Sequence, residues 1–250
     1  KAVKGVDLVF HLAANRAVVR SVENPRETHE VNVTGTFNVL LAARDFNVGR
    51  VVFSSSSAVY GEAKKFPSRE EDRPEPVSPY GVSKLMGEHY CRLFSKLYGL
   101  DTTVLRYFNV FGPRQNPESR YSTVIPAFIS ALVRGHQPQV HWDGQQSRDF
   151  AYVDNIVYGN LRAAFGSKTA GEVFNISAGE ERSVIEVLDE LKTILNRGHL
   201  KPVFAPKRAG DVRRTLADVT KAKRLLKFRV QTRFEEGLEK TTAWFLNSRG

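Results

Sequence analysis

Arg50-Val51-Val52-Phe53-Ser54 decides the fold. The run is too short for a helix, and its apolar residues are consecutive rather than alternating. That pattern marks a strand buried on both faces. Upstream, Asp7-Leu8-Val9-Phe10-His11-Leu12 reads the same way and is closed by Ala13-Ala14. Between them, residues 25–47 begin at Pro25 and carry Val31, Phe37, Leu40 and Leu41 at helical spacing. Downstream, residues 61–79 are rich in Pro, Glu and Lys and read as a loop, and a helix is predicted from Pro79 to Tyr98, stopped by Gly99. Thr102-Thr103-Val104-Leu105-Arg106-Tyr107-Phe108 is a third strand. Apolar strands alternating with helices predict a doubly wound parallel α/β sheet.

Beyond Gly112-Pro113 the elements shorten. Helices are predicted near 123–134, 153–166, 183–195, 219–226 and 233–247, and strands near 138–141, 173–177 and 201–205. They suggest a smaller α/β lobe over the carboxyl ends of the strands, where doubly wound sheets bind ligands.

Composition narrows the function. The 250 residues hold 41% hydrophobic and 26% charged residues, which excludes a disordered tail. No apolar run nears the ~20 residues that span a bilayer, so no membrane span is expected. The single Cys91 excludes a disulfide framework and a multi-cysteine zinc site, so no metal is expected and a reducing, cytoplasmic setting fits. The chain starts at Lys1 without a leader pattern and is expected to be processed or part of a longer protein. Net charge is +10, and residues 201–250 contribute thirteen Lys and Arg against five Asp and Glu. A solvated face or a phosphorylated small molecule accounts for this charge. Zinc-finger spacing and aromatic–basic RNA motifs are absent, so nucleic acid is not expected.

Two stretches carry chemistry. In Tyr80-Gly81-Val82-Ser83-Lys84 a phenol and an ammonium stand at i and i+4 on one helix face. A nearby cation favours phenolate and makes tyrosine a usable base. Tyr60-Gly61-Glu62-Ala63-Lys64 has the same spacing but runs into a Gly- and Pro-containing loop, whereas Tyr80 follows the helix-start signal Ser78-Pro79. The second stretch, Ser54-Ser55-Ser56-Ser57-Ala58-Val59-Tyr60-Gly61, puts four hydroxyls at a strand's carboxyl end.

Taken together with Pro79-Tyr80-Gly81-Val82-Ser83-Lys84 and Arg106-Tyr107-Phe108-Asn109-Val110-Phe111-Gly112-Pro113, this chain resembles the extended short-chain dehydrogenase/reductase superfamily. The nearest resemblance is to nucleotide-sugar 4-epimerases of the UDP-glucose/UDP-N-acetylglucosamine type, from about Val6 to Phe245. It implies a Rossmann-like fold, NAD as cofactor, a UDP-sugar substrate and a homodimer formed through the 25–47 and 79–98 helices. It implies that residues 1–111 plus about 150–178 bind NAD, while 112–149 plus 179–250 form the nucleotide-sugar lobe. The catalytic trio falls on Ser56, Tyr80 and Lys84, with Lys84 lowering the Tyr80 pKa. Cofactor-binding positions fall on His11, Leu12, Ala13, Ala14, Asn32, Ser54, Tyr80, Lys84 and Phe108. His11, at a strand end, is read as structural rather than as a base. Substrate-binding positions fall on Ser56, Ser57, Asn109, Val124, Arg148, Arg208, Asp211 and Thr215. Two guanidiniums suit bidentate recognition of a diphosphate. Thr215 stands where glucose/galactose-restricted relatives of this type carry a bulky Tyr, leaving room for an N-acetyl group.

Related dehydratases carry an Asp-Glu pair where this chain has Ser57-Ala58, and related decarboxylases a Glu where Ala58 stands, so epimerisation is expected. The family's opening strand and Gly-x-x-Gly-x-x-Gly turn have no counterpart, so the Rossmann-like sheet is expected to be N-terminally incomplete, with these parts upstream in a parent protein. The alternatives are an epimerase acting on UDP-glucuronate or another nucleotide sugar, and a non-catalytic nucleotide-binding protein on this fold.

Overall fold

The computed structural model describes residues 2–117, 122–167 and 169–247. Its main sheet contains β1 (Leu8–His11), β2 (Arg50–Ser56), β3 (Asp101–Tyr107) and β7 (Val173–Ile176), in the order β1-β2-β3-β7, all parallel. Val51, Val52 and Phe53 are fully buried at its centre, as their consecutive apolar pattern requires. Each such large side chain contributes about 1.5–3 kcal/mol by leaving water. The predicted doubly wound parallel sheet is therefore present.

Helix α4 (Pro79–Tyr98) has the predicted limits, for the predicted reasons. The Ser78 hydroxyl accepts from Gly81 N, Pro79 opens the first turn, and Gly99 closes the helix in left-handed conformation, φ 67°. A Cβ on Gly81 would lie 2.6 Å from the Ala58 carbonyl oxygen, so only glycine lets α4 approach the end of β2 this closely.

The 25–47 segment is not one regular helix. It runs as α2 (Pro25–His29), a π-helical turn at Glu30–Thr34, and α3 (Gly35–Asp45). Such turns insert a residue and re-aim a side chain, frequently at functional sites. Here it turns Asn32 inward. Its amide donates to Asn15 O (3.0 Å) and Ser83 Oγ (3.0 Å), and its oxygen accepts from Asn15 N (2.7 Å).

The remaining predicted elements appear as α5 (Val124–Val133), α6 (Val153–Phe165), α7 (Val184–Ile194), α8 (Thr220–Leu225), α9 (Phe234–Asn247), β5 (Gln139–His141) and β9 (Val203–Ala205). Four elements were not predicted: α1 (Val18–Glu23), β4 (Asn109–Phe111), β6 (Ser147–Tyr152) and β8 (Glu181–Ser183). The last three form a small sheet in the order β4-β6-β8, and β5 pairs with β9. Beside this small sheet lies a second core around Phe111, Phe128, Phe150, Leu188 and Leu238. Ala222, Leu226 and Phe228 instead pack with the main-sheet core.

Candidate active site

The carboxyl ends of β1, β2 and β3 converge with the first turns of α4. Ser56 stands where β2 passes into a single 3₁₀ turn, its hydroxyl accepting from Ala58 N (3.2 Å) and lying beside the Tyr80 phenol. One turn along α4, the Lys84 ammonium donates to the Ser54 carbonyl (2.6 Å) and lies 5.9 Å from the Tyr80 ring centroid. The structure thus brings the three predicted catalytic residues together, and leaves Lys64 of the decoy apart.

The electrostatics differ from expectation. The Tyr80 phenol is pushed above its ordinary value by burial, partly offset by the neighbouring Ser56 hydroxyl and the charge of Arg16. Lys84, 3% exposed, is itself lowered to about 8 by burial. Desolvation favours the neutral form of each group.

His11 is a structural anchor. The Thr36 hydroxyl donates to Asn32 O (2.6 Å), so its oxygen is left to accept from His11 Nε2 (2.9 Å). Burial, helped by the Lys84 charge, lowers His11 to about 4. The neutral ring therefore stabilises the fold above pH 6.5, and this contribution is lost as pH falls from 6.5 toward 4. In urea titrations at pH 7.5 and 5.0, wild type is expected to lose more stability on acidification than His11→Gln. Parallel losses would contradict the assignment.

Leu12 and Ala13 are exposed just past β1, and Ala14 is half-buried beside them. Ser54 is buried, its carbonyl accepting from Lys84. Phe108 is buried against Tyr60, ring centroids 6.2 Å apart. Asn109 Nδ2 donates to Thr215 Oγ1 (2.9 Å), which also accepts from Asp149 N (3.3 Å). Ser57 lies in the 3₁₀ turn, and Val124 is the first residue of α5.

An open cleft of about 490 Å³ lies beyond, lined by Glu62, Val77 and the 207–211 loop. The arginines that follow the 207–211 loop are committed: Arg213 to Asp143 (2.7 Å) and Arg214 to Glu181 (2.6 Å). Arg148 and Arg208 have no ion pair among the described residues. Arg148 donates only to the carbonyls of Ser147 (2.8 Å) and Arg213 (3.4 Å), and burial lowers its pKa. Asp211 and Glu62 at the cleft act on Arg148 electrostatically, and the two guanidiniums, neither in an ion pair among the described residues, suit a diphosphate.

Three features were missed in the sequence. Ser55 Oγ donates to Glu88, which takes a bidentate pair from Arg106 (2.9 and 2.7 Å). Arg106 lies 4.7 Å from the Tyr60 ring, and Tyr60 donates to Asn175 (2.7 Å). Glu88 continues the Tyr80–Lys84 face of α4 by one more i+4 step, and Arg106 interrupts an apolar strand; together they could have signalled a buried pair. Second, Asp149 accepts from Ser177 Oγ, Ala178 N, Gly179 N and Ala217 N, at 2.5–3.2 Å, while burial raises it to about 6. Third, Trp142 has left-handed backbone, φ 66°, which costs a non-glycine residue about 1–3 kcal/mol.

A model of the NAD-dependent epimerase/dehydratase family matches residues 1–177. The chain belongs to that family. Among the family's proteins, a putative UDP-glucose 4-epimerase of Methanocaldococcus jannaschii is 38% identical over 247 residues, 98% of this chain and 79% of that protein. The solved UDP-N-acetylglucosamine 4-epimerase of Methanobrevibacter ruminantium, in complex with UDP-N-acetylmuramic acid, has a TM-score of 0.94 at 37% identity, covering 99% of this chain and 79% of that one. A UDP-glucuronic acid 4-epimerase of Bacillus cereus with UDP-glucuronic acid and NAD has a TM-score of 0.93 at 31% identity, covering 99% and 77%.

Proposed function

We propose that the protein is an NAD-dependent UDP-sugar 4-epimerase that inverts C4 of UDP-glucose or UDP-galactose and accepts the N-acetylated forms. The observation that carries this reading is the placing of Ser56 beside the Tyr80 phenol, with Lys84 one turn further on. Binding a nucleotide alone would not require it.

The residues present fit NAD. Lys84 is a buried cation with one hydrogen-bond acceptor, the Ser54 carbonyl, among the described residues, which leaves donors for a ribose diol. Leu12, Ala13 and Ala14 offer a small apolar surface at the strand ends, Asn32 holds the adjoining loop through Asn15, and His11, Ser54 and Phe108 support it from within. When bound, NAD supplies a reversible hydride acceptor for C4 and a positive charge, so the reaction is redox-neutral overall.

The chain's own groups handle the proton. C4 of a sugar carries no acidic hydrogen, so inversion passes through a 4-keto sugar. Tyr80 takes the 4-hydroxyl proton and later returns it, and Ser56 hydrogen-bonds O4 and relays that proton. Lys84 orients the site from below. Arg148 and Arg208 hold the diphosphate, Asp211 the uridine ribose, and Val124 the base region. Ser57 and Asn109 face the hexose. Thr215, its hydroxyl turned to Asn109, leaves space at C2. Residues 1–111 with about 150–178 bind NAD; 112–149 with 179–250 bind the nucleotide sugar.

No helix among the described residues is long and apolar enough to cross a membrane, and a cytoplasmic location is part of the proposal. So is a homodimer: Val31, Val82, Leu93 and Leu97 stay exposed on the 25–45 and 79–98 helices, an apolar surface that a second copy would cover.

The direct test incubates the chain with NAD and UDP-N-acetylglucosamine or UDP-glucose, and separates the 4-epimers by chromatography. Epimer without stoichiometric reduced cofactor is expected. If none forms, the assay is repeated on a chain extended upstream, and failure there sinks the reading.

A further inference from the structure

One of the residues with left-handed backbone stands beside the cleft. Trp142 holds a backbone conformation that suits glycine, yet it is fixed there by its own N–H, which donates to Ala205 O (2.8 Å) at the end of the β5–β9 pair. Its ring is gripped by two cations. The Lys207 ammonium lies 4.1 Å and the Arg213 guanidinium 4.8 Å from its centroid. These two residues bracket Arg208 and Asp211, so one ring holds both ends of the loop that lines the cleft. Arg213 is locked further by two bonds to Asp143 (2.7 and 2.8 Å), and Glu62 accepts from Arg213 N (3.2 Å) beneath. A Cβ on Gly210 would meet Val18 at 2.7 Å, so the loop also sits closely against α1.

We propose that Trp142 is a positioning residue: its ring, held between Lys207 and Arg213, fixes the 207–213 loop across the cleft so that Arg208 and Asp211 are preorganised for the diphosphate and ribose of a UDP-sugar. The inference rests on the UDP-sugar reading above. A glycine at 142 would fit the backbone better, so what tryptophan adds is the ring. Preordering the loop lowers the ordering cost of binding and acts on affinity rather than on chemistry.

The test compares the full chain with Trp142→Gly and Trp142→Phe. Trp142→Gly is expected to melt no lower than wild type, because it relieves the backbone. Losing two cation–ring contacts is expected to weaken UDP binding by about tenfold, measured by titration calorimetry. KM is expected to rise with kcat unchanged, and trypsin to cleave faster after Lys207, Arg208 and Arg213. Trp142→Phe keeps an aromatic face and should restore most of the affinity and the trypsin resistance. If Trp142→Gly binds UDP and resists trypsin like wild type, the proposal is overturned. If wild type, in the upstream-extended chain as well, neither binds UDP nor epimerises, the sugar-nucleotide reading fails and takes this role with it. The trypsin comparison then still reports whether the ring holds the loop.

Discussion

Tyr80→Phe is expected to lower kcat about 10²–10⁴-fold while leaving the protein folded. Phenylalanine keeps the ring and removes only the oxygen, which lies beside Ser56. The backbone N–H of residue 80 still donates to Ser21 Oγ (3.1 Å), so the start of α4 should not move. Without the phenol, no group in the trio can take the proton from the sugar hydroxyl. Lys84 faces the Ser54 carbonyl, and Ser56 is too weak a base alone. UDP affinity should be unchanged, because the groups assigned to the diphosphate lie on other elements. Chromatographic separation of the epimers gives kcat, and calorimetry with UDP gives the control. Retention of a tenth or more of the activity would remove Tyr80 from its proposed role.

Glu88→Ala should destabilise the protein most. The change leaves Arg106, 3% exposed, as an uncompensated cation beneath the sheet, and breaking a buried pair costs about 3–5 kcal/mol. That is a large share of the roughly 5–15 kcal/mol by which domains are stable. The double variant Glu88→Leu, Arg106→Met removes both charges and should recover at least half of the loss, since apolar replacement of a buried pair is often neutral. Urea unfolding of the wild type, each single variant and the double variant measures the coupling. A loss below about 1 kcal/mol in Glu88→Ala would mean that water reaches Arg106.

These two residues also show what the sequence made legible. Tyr80 could be found because helical spacing, the Ser78-Pro79 start and the serine-rich end of β2 all point to one place. The main sheet was readable because Val51, Val52 and Phe53 form an uninterrupted apolar run. Glu88 and Arg106 were not, since each alone looks like an ordinary charged residue and only the packing of α4 on β2 and β3 pairs them. The short strands β4, β6 and β8 escaped because three to six residues carry too little periodicity, and Ser147-Arg148-Asp149 opens β6 with polar side chains. The π-helical turn escaped for another reason: it accompanies the contacts of Asn32 with Asn15 and Ser83, far away in sequence. The electrostatics of Tyr80 and Lys84 escaped as well, because spacing gives proximity but not burial.

Asp149 has a consequence for how the molecule comes apart. One carboxylate, on β6 of the small sheet, gathers the end of β7, the turn at Gly179 and the chain at Ala217, so the small sheet and the main sheet are tied at one acceptor. Pulling β6 away would leave buried donors at the end of β7 without it. Heating should therefore produce one calorimetric peak, with van't Hoff and calorimetric enthalpies equal, and the protein should lose its cofactor half and its sugar half in the same event.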